Sequence, residues 1–283
     1  MDYKTSLVLE GGGLRGAYTA GCLSWLLDNN LEFDNAYGIS TGAIHLCSYL
    51  LKSKNFLRII STQYINDKSS IGASAVLRCG RIVDYDYLFN TLFIDTVQFP
   101  FSRLKDIKAN GYIGLYELEK GGTEYHPIQE ICLKELQAST TLPIIGKVME
   151  INKDRHILDG GITEMLPIKQ ALKDGCKKHL VIATKPIDFV RKPSKKFVVD
   201  LMKLVYPKWP SVSEDYSIRD KNYIDQISRI KDVIDRGDGL YICPSRKTNV
   251  TRLNGSREDL EDLYELGYND MEAQKEKIFA LFK

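Results

Sequence analysis

The chain has 283 residues, 43% of them hydrophobic and 27% charged, with a formal net charge of +2. That is enough to bury one large core, or one domain with a small appendage, without help from disulfides or structural metals. The composition excludes a disordered or fibrous chain, no nucleic-acid partner is expected, and no run approaches the roughly 18 to 20 apolar residues that span a bilayer. Met1 to Ser6 lead straight into the first apolar run without a basic region or a small-residue cleavage site. A non-exported, cytoplasmic chain is therefore expected, with any membrane contact peripheral.

The first apolar run, Leu7 to Glu10, reads as a buried strand. It enters Gly11-Gly12-Gly13-Leu14-Arg15-Gly16, which also opens a helix predicted over Leu14 to Asp28. Consecutive backbone N–H groups at a helix N-terminus suit an anion, either a cofactor pyrophosphate or the oxyanion of an acyl-transfer intermediate. Gly11, Gly13 and Gly16 also satisfy GxGxxG, the spacing of dinucleotide-binding turns. A second strand, Asn35 to Gly38, precedes a helix over Thr41 to Leu51, and between them stands Gly38-Ile39-Ser40-Thr41-Gly42. A serine nucleophile needs a tight strand-to-helix turn to expose its hydroxyl, and the flanking glycines let the backbone pass closely.

Further on, Phe93, Phe99, Phe101 and Leu104 around Pro100 show no clear period and read either as a channel or lid or as ordinary core. Two hairpins are predicted, Tyr112 to Glu119 with Thr123 to His126, and Lys147 to Ile151 with His156 to Leu158. The second runs into Asp159-Gly160-Gly161. An aspartate beside glycines at a strand end can approach another loop, although alone the tripeptide reads as a turn. Pro167 opens a short helix that Gly175 closes, feeding a strand at Leu180 to Ala183.

Arg191, Lys192, Lys195 and Lys196 precede Phe197, Val198, Leu201, Leu204 and Val205, with Tyr206, Lys208 and Trp209 beyond. This reads either as an amphipathic helix touching an anionic lipid surface or as a core helix behind a solvated linker. Ile224, Ile227, Ile230, Val233 and Ile234 repeat at helical spacing up to Gly237, and Gly239 to Pro244 follow. Ser256 with Asp259 and Asn269 with Glu272 are capping-box patterns, predicting two charged helices separated near Gly267. The alternation of strands and helices implies a mainly parallel sheet covered by helices, over residues 1–245, with 246–283 as a helical appendage. The six cysteines lack ligand spacing and read as free buried thiols; the four histidines are equally dispersed, so neither a metal nor a cofactor is called for.

The glycine-rich loop, the GxSxG elbow and the downstream Asp-Gly-Gly, in that order, resemble the three motifs of the patatin-like phospholipase family. The likeness extends to Leu9 and Glu10 before the loop, Phe33-Asp34 before the elbow, Ala138-Ser139 with Pro143, and Pro167-Ile168 after the acidic motif. It covers about residues 5 to 185 well and the rest more loosely. The resemblance implies a three-layer α/β/α fold and a serine acyl-ester hydrolase acting on a lipid or acyl-ester substrate. Ser40 would be the nucleophile and Asp159 its base, with Gly11, Gly12, Gly13 and Arg15 at the oxyanion hole, Gly38 and Gly42 shaping the elbow, and Gly160 and Gly161 carrying the acid. Thr41 and Tyr37 depart from the family's usual residues and are candidates to reshape the acyl pocket.

Three other readings compete. A Ser-Asp-His triad would recruit His179, which reads as a solvated strand entry beside Lys177 and Lys178. A dinucleotide-dependent oxidoreductase would use the glycine loop with Glu32 or Asp34 on the ribose, leaving GxSxG and Asp-Gly-Gly unexplained. A catalytically silent lipid-binding module would keep the fold without the chemistry. Acyl chain, head group and oligomeric state are not encoded in any motif.

Overall fold

The computed structural model describes residues 4–64, 67 and 69–282; Met1 to Tyr3, at the head of the N-terminal reading, lie outside them. In chain order the elements are β1 (Thr5–Leu9), α1 (Gly16–Asp28), β2 (Asn35–Ile39), α2 (Thr41–Leu50), α3 (Lys54–Ile59) and α4 (Ala73–Cys79). A π-helical stretch over Tyr87–Thr96 and a 3-10 stretch over Phe101–Asp106 lead to β3 (Asn110–Glu117), β4 (Gly122–Pro127), α5 (Leu133–Ala138), β5 (Met149–Asn152) and β6 (Arg155–Asp159). The chain continues through α6 (Ile168–Lys173), β7 (Lys178–Ile182), α7 (Lys196–Val205), α8 (Pro210–Ser217), α9 (Arg219–Asp235), β8 (Gly239–Ile242), α10 (Arg257–Ala273) and α11 (Lys275–Leu281).

The strands form one sheet in the order β5-β6-β3-β2-β1-β7-β8, with β4 also paired to β3. From β3 to β8 the pairs are parallel, and the two predicted hairpins supply the antiparallel part. Side chains alternate across each central strand, as a two-residue period requires. Leu7, Leu9, Leu180 and Ile182 pack into the layer of α1, α10 and α11, whereas Val8, Tyr37 and Val181 face α6 and α9. A parallel strand buried on both faces reads as a continuous apolar run, which is what Leu7 to Leu9 showed. The fold is thus the α/β/α arrangement of a central sheet between helices.

The C-terminal segment departs from its reading. Ser256 caps α10 with the reciprocal Asp259 bonds expected of a capping box, but Asn269 starts no helix and Gly267 separates none. Gly267 lies inside α10, where a Cβ would stand 2.2 Å from the Tyr18 carbonyl oxygen, and Gly21 of α1 meets the Tyr264 carbonyl at 1.9 Å in the same way. The two glycines let α1 and α10 cross with backbone against backbone. Side-chain hydrogen bonds tie the two helices at the crossing, from Tyr18 to Asp270, Cys22 to the Gly267 carbonyl, Trp25 to Glu272, Tyr264 to Ser24 and Tyr268 to Asp28.

Other readings are corrected by burial. Cys22, Cys47 and Cys176 are buried as expected, but Cys79 and Cys132 are exposed. Of α7 only Met202 is fully buried; Phe197 and Leu204 are 65% and 79% exposed, so α7 is not a core helix. Among the described residues no helix is long and apolar enough to cross a membrane.

Candidate active site

The elbow forms because β2 must turn into α2 within one residue. Ser40 is that residue, and it takes φ 57° and ψ −127°, a conformation that costs a non-glycine residue about 1–3 kcal/mol. The flanking glycines permit it. A Cβ on Gly38 would lie 2.6 Å from the Gly42 carbonyl oxygen, and one on Gly42 would lie 3.0 Å from that of Leu9.

The register of β3 decides what stands beside Ser40. β4 pairs with β3 over Tyr112 to Glu117, so β2, opposite Asn110 to Gly114, and β6, opposite Leu115 to Glu117, must share the other edge. On that edge Ile39 faces Gly114 and Asp159 faces Leu115. The two strands therefore meet end to end, one residue apart along β3, or roughly 3.3 Å. A hydroxyl from residue 40 and a carboxylate from residue 159 are delivered to one spot. Gly160 turns away tightly there, since a Cβ would lie 2.6 Å from the Gly114 carbonyl oxygen.

Asp159 is buried, and its Oδ1 accepts the Gly161 N–H at 2.7 Å. Burial raises its pKa above the ordinary aspartate value; Ser40, the Gly161 amide, Arg252 and Arg219 act in the opposite direction without cancelling it. Arg219 donates from Nε and Nη2 to the Gly161 carbonyl at 3.0 and 2.6 Å, pinning the turn that carries the acid. Burial lowers the Arg219 pKa to about 10, which leaves it charged at neutral pH.

The glycine loop approaches from β1. A Cβ on Gly11 would touch the Ser40 Cβ at 3.0 Å, so this glycine exists to let the loop close on the elbow. The Gly11 N–H is already given to the Met165 carbonyl at 3.2 Å. The Gly12 N–H makes a long bond of 3.3 Å to Thr41 Oγ1, and the Gly13 N–H has no partner among the described residues. Gly13 sits at φ +60° with the Arg252 carbonyl oxygen pressed against it, and that carbonyl accepts the Leu14 N–H at 3.0 Å. Of the three amides, that of Gly11 is engaged and that of Gly12 only by a long bond, and Gly11 contributes clearance.

Ser40, Asp159 and Gly11 to Gly13 line one cavity of about 120 Å³, walled by apolar side chains that include Leu14, Ile44, Ile71, Val83 and Phe89. Thr41, Gly161, Arg219 and Arg252 also line it; Arg15 does not. The Arg15 side chain is largely enclosed, and burial lowers its pKa, with Glu10 the first of the charges acting on it. Arg219 and Arg252 were not singled out from the sequence, because neither lies in a motif and both arrive from distant segments.

Several sequence candidates lie elsewhere. Tyr37 points to the opposite face of the sheet, stacked on Tyr112 and donating to Asp174, so it shapes no acyl pocket. Phe93, Phe99 and Leu104 are core beneath the cavity wall, while Phe89 reaches the cavity itself. His179 is buried rather than solvated, shares a 2.8 Å hydrogen bond with Ser6, and has its pKa lowered to about 4 by burial. It pairs with the start of β1, at the end of the sheet away from Ser40, so it completes no triad. Asp34 accepts from the Thr5 N–H at that same end, remote from the glycine loop, and Glu32 pairs with Lys52. The oxidoreductase reading loses both of its ribose-binding acids. No group of three His, Cys, Asp or Glu side chains among the described residues is placed to hold a metal ion.

Residues 7–172 match the family described as patatin-like phospholipase, and residues 209–283 match a domain of unknown function, DUF6363. An uncharacterized Escherichia coli K12 protein, YjjU, is 28% identical over 191 residues, which is 65% of this chain and 52% of that protein. The chain thus spans about half the length of this curated relative. The crystal structure of VipD from Legionella pneumophila aligns at TM-score 0.48 and 14% identity, covering 98% of this chain and 67% of that one.

Proposed function

The chain belongs to the patatin-like phospholipase family of lipid acyl hydrolases, and from that premise we propose that it hydrolyses carboxylic esters of lipids through Ser40 and Asp159. The observation that carries the reading is the shared edge of β3, where the serine turn and the aspartate strand end meet.

Ser40 Oγ attacks the ester carbonyl carbon as Asp159 takes its proton. On this reading the developing oxyanion is met by the Gly13 amide and by that of Gly12, which exchanges its long bond to Thr41 Oγ1 for the oxyanion. Collapse expels the alcohol, which leaves with the proton held by Asp159, and the acyl group stays on Ser40. Water then attacks the acyl-serine with Asp159 again as base, and collapse releases the carboxylic acid and restores the hydroxyl. A carboxylate is a weak base toward a hydroxyl, and the raised pKa of a buried Asp159 narrows that gap. Apolar walls around the serine suit an acyl chain.

A fluorophosphonate probe tests this directly, since only an activated serine reacts with it. Stoichiometric labelling of Ser40 is expected. Intact protein that leaves the probe unreacted would instead be the silent lipid-binding form of the fold.

A further inference from the structure

β1 and β7 are neighbours, yet the chain leads from β1 to one half of the sheet and from β7 to the other. Doubly wound sheets receive ligands in the crevice beyond the carboxyl ends of strands at such a point. Here those ends carry Glu10, which runs on into the glycine loop, and Thr184 with Lys185. Glu10 is fully committed: it accepts from the Thr184 N–H at 2.6 Å, from Thr184 Oγ1 at 2.8 Å and from Lys185 Nζ.

What remains around the crevice is cationic. Arg15 at the start of α1, Arg191 in the segment after β7 and Arg252 before α10 act on one another electrostatically, and Arg219 interacts with both Arg191 and Arg252. Arg219 has a partner in the Gly161 carbonyl. Arg15 and Arg191 each keep a buried Nε with no hydrogen-bond partner among the described residues. A buried donor left unmet is destabilising, and more so when it is charged. Arg191 lies over the Tyr223 ring at 4.9 Å, which holds the guanidinium without neutralising it. Of the acids facing this group, Glu10 and Asp159, the first is spent on Lys185 and the second belongs to the serine.

We propose that this crevice is a subsite for a phosphate-type anion, bound by Arg191 and Arg252 with Arg15 beneath, beside the cavity that Arg252 lines together with Ser40. The guanidinium fork matches phosphate oxygens, and the two buried donors would gain acceptors on binding. Arg191 and Arg252 both lie outside residues 7–172, so the chain's second half supplies two of the three charges. The anion is the head group of an acyl lipid, an assignment that rests on the ester-hydrolase reading, or it is free phosphate.

Wild type, Arg191→Gln and Arg191→Lys are compared at low ionic strength on p-nitrophenyl butyrate, which has no phosphate, and on monomeric dihexanoyl phosphatidylglycerol. Loss of one charged contact is expected to lower kcat/KM for the phospholipid about tenfold more than for the neutral ester, mainly through KM. Arg191→Lys should recover part of this loss. Calorimetric titration with inorganic phosphate separates the two sources. Saturable binding lost in Arg191→Gln, without a change in phospholipid selectivity, identifies free phosphate. Unchanged selectivity, including an equal loss on both esters, together with no phosphate binding to the wild type or with binding that Arg191→Gln retains, overturns the subsite. If the wild type cleaves neither ester, the hydrolase reading fails on its own, and phosphate binding to wild type and Arg191→Gln decides the subsite.

Discussion

The edge of β3 and the crossing of α1 with α10 are built by the same device, glycine at a point where two backbones touch, yet only one of them was readable. At the β3 edge the glycines sit in motifs: Gly38 and Gly42 bracket Ser40, and Gly160 follows Asp159, each with backbone where a Cβ would go. At the crossing, Gly21 and Gly267 stand in helix interiors, where glycine costs about 1 kcal/mol against alanine; Gly267 reads as a break between helices, and Gly21 sits inside a predicted helix with nothing to mark it. A close approach written within a few residues leaves a local signature. One made between segments far apart in the chain leaves only an anomalous letter.

Perturbing the first region should affect chemistry alone. Ser40→Ala is expected to lower kcat by about 10⁴-fold or more, the scale seen when a nucleophile is removed. Its urea midpoint should stay near that of the wild type, because the alanine takes over the same strained turn. Activity surviving in purified Ser40→Ala would falsify the assignment. Perturbing the second region should affect stability first. Gly267→Ala places a methyl on the Tyr18 carbonyl, which belongs to a helix backbone and cannot rotate aside. Overpacking of this kind costs roughly 1–3 kcal/mol, to be read as a lower urea midpoint at unchanged slope. An unchanged midpoint would mean that the helices separate freely and that α10 is not part of the core.

The comparison also marks how far the sequence could be read. The three motifs, the central strands and both hairpins were legible because each depends on neighbours within a few residues: apolar runs, turn glycines, a cap. That Ser40 and Asp159 meet was legible only through the family resemblance. The physical cause is β2 and β6 sharing one edge of β3, which no residue of either strand announces. Arg219 and Arg252 were missed for the same reason, being brought to the cavity by α9 and by the segment before α10. His179 was misread because its lysine neighbours suggested solvent, whereas its side chain turns inward to Ser6.

A smaller effect is expected from pH. Only the ionised carboxylate can accept the Ser40 proton, so activity is lost as pH falls through the pKa of Asp159. Because burial raises that pKa, the acid limb of kcat/KM should lie above the ordinary aspartate value near 3.9. Below it, the rate should fall about tenfold per unit. A profile that holds level down to pH 4 in folded protein would remove Asp159 as the base.

The smallest expected effect separates the start of α10 from its crossing. Ser256 Oγ accepts the Asp259 N–H, and Asp259 returns a bond to the Ser256 N–H, all on the exposed surface. Ser256→Ala should therefore cost about 1 kcal/mol, the usual worth of a cap. Activity should not change, since Arg252 is held by the bond from Leu14 to its carbonyl rather than by the cap. A fall in kcat/KM larger than the change in stability would mean that the cap sets where Arg252 stands. The C-terminal region would then act on the site through the end of α10 as well as through the glycine crossing.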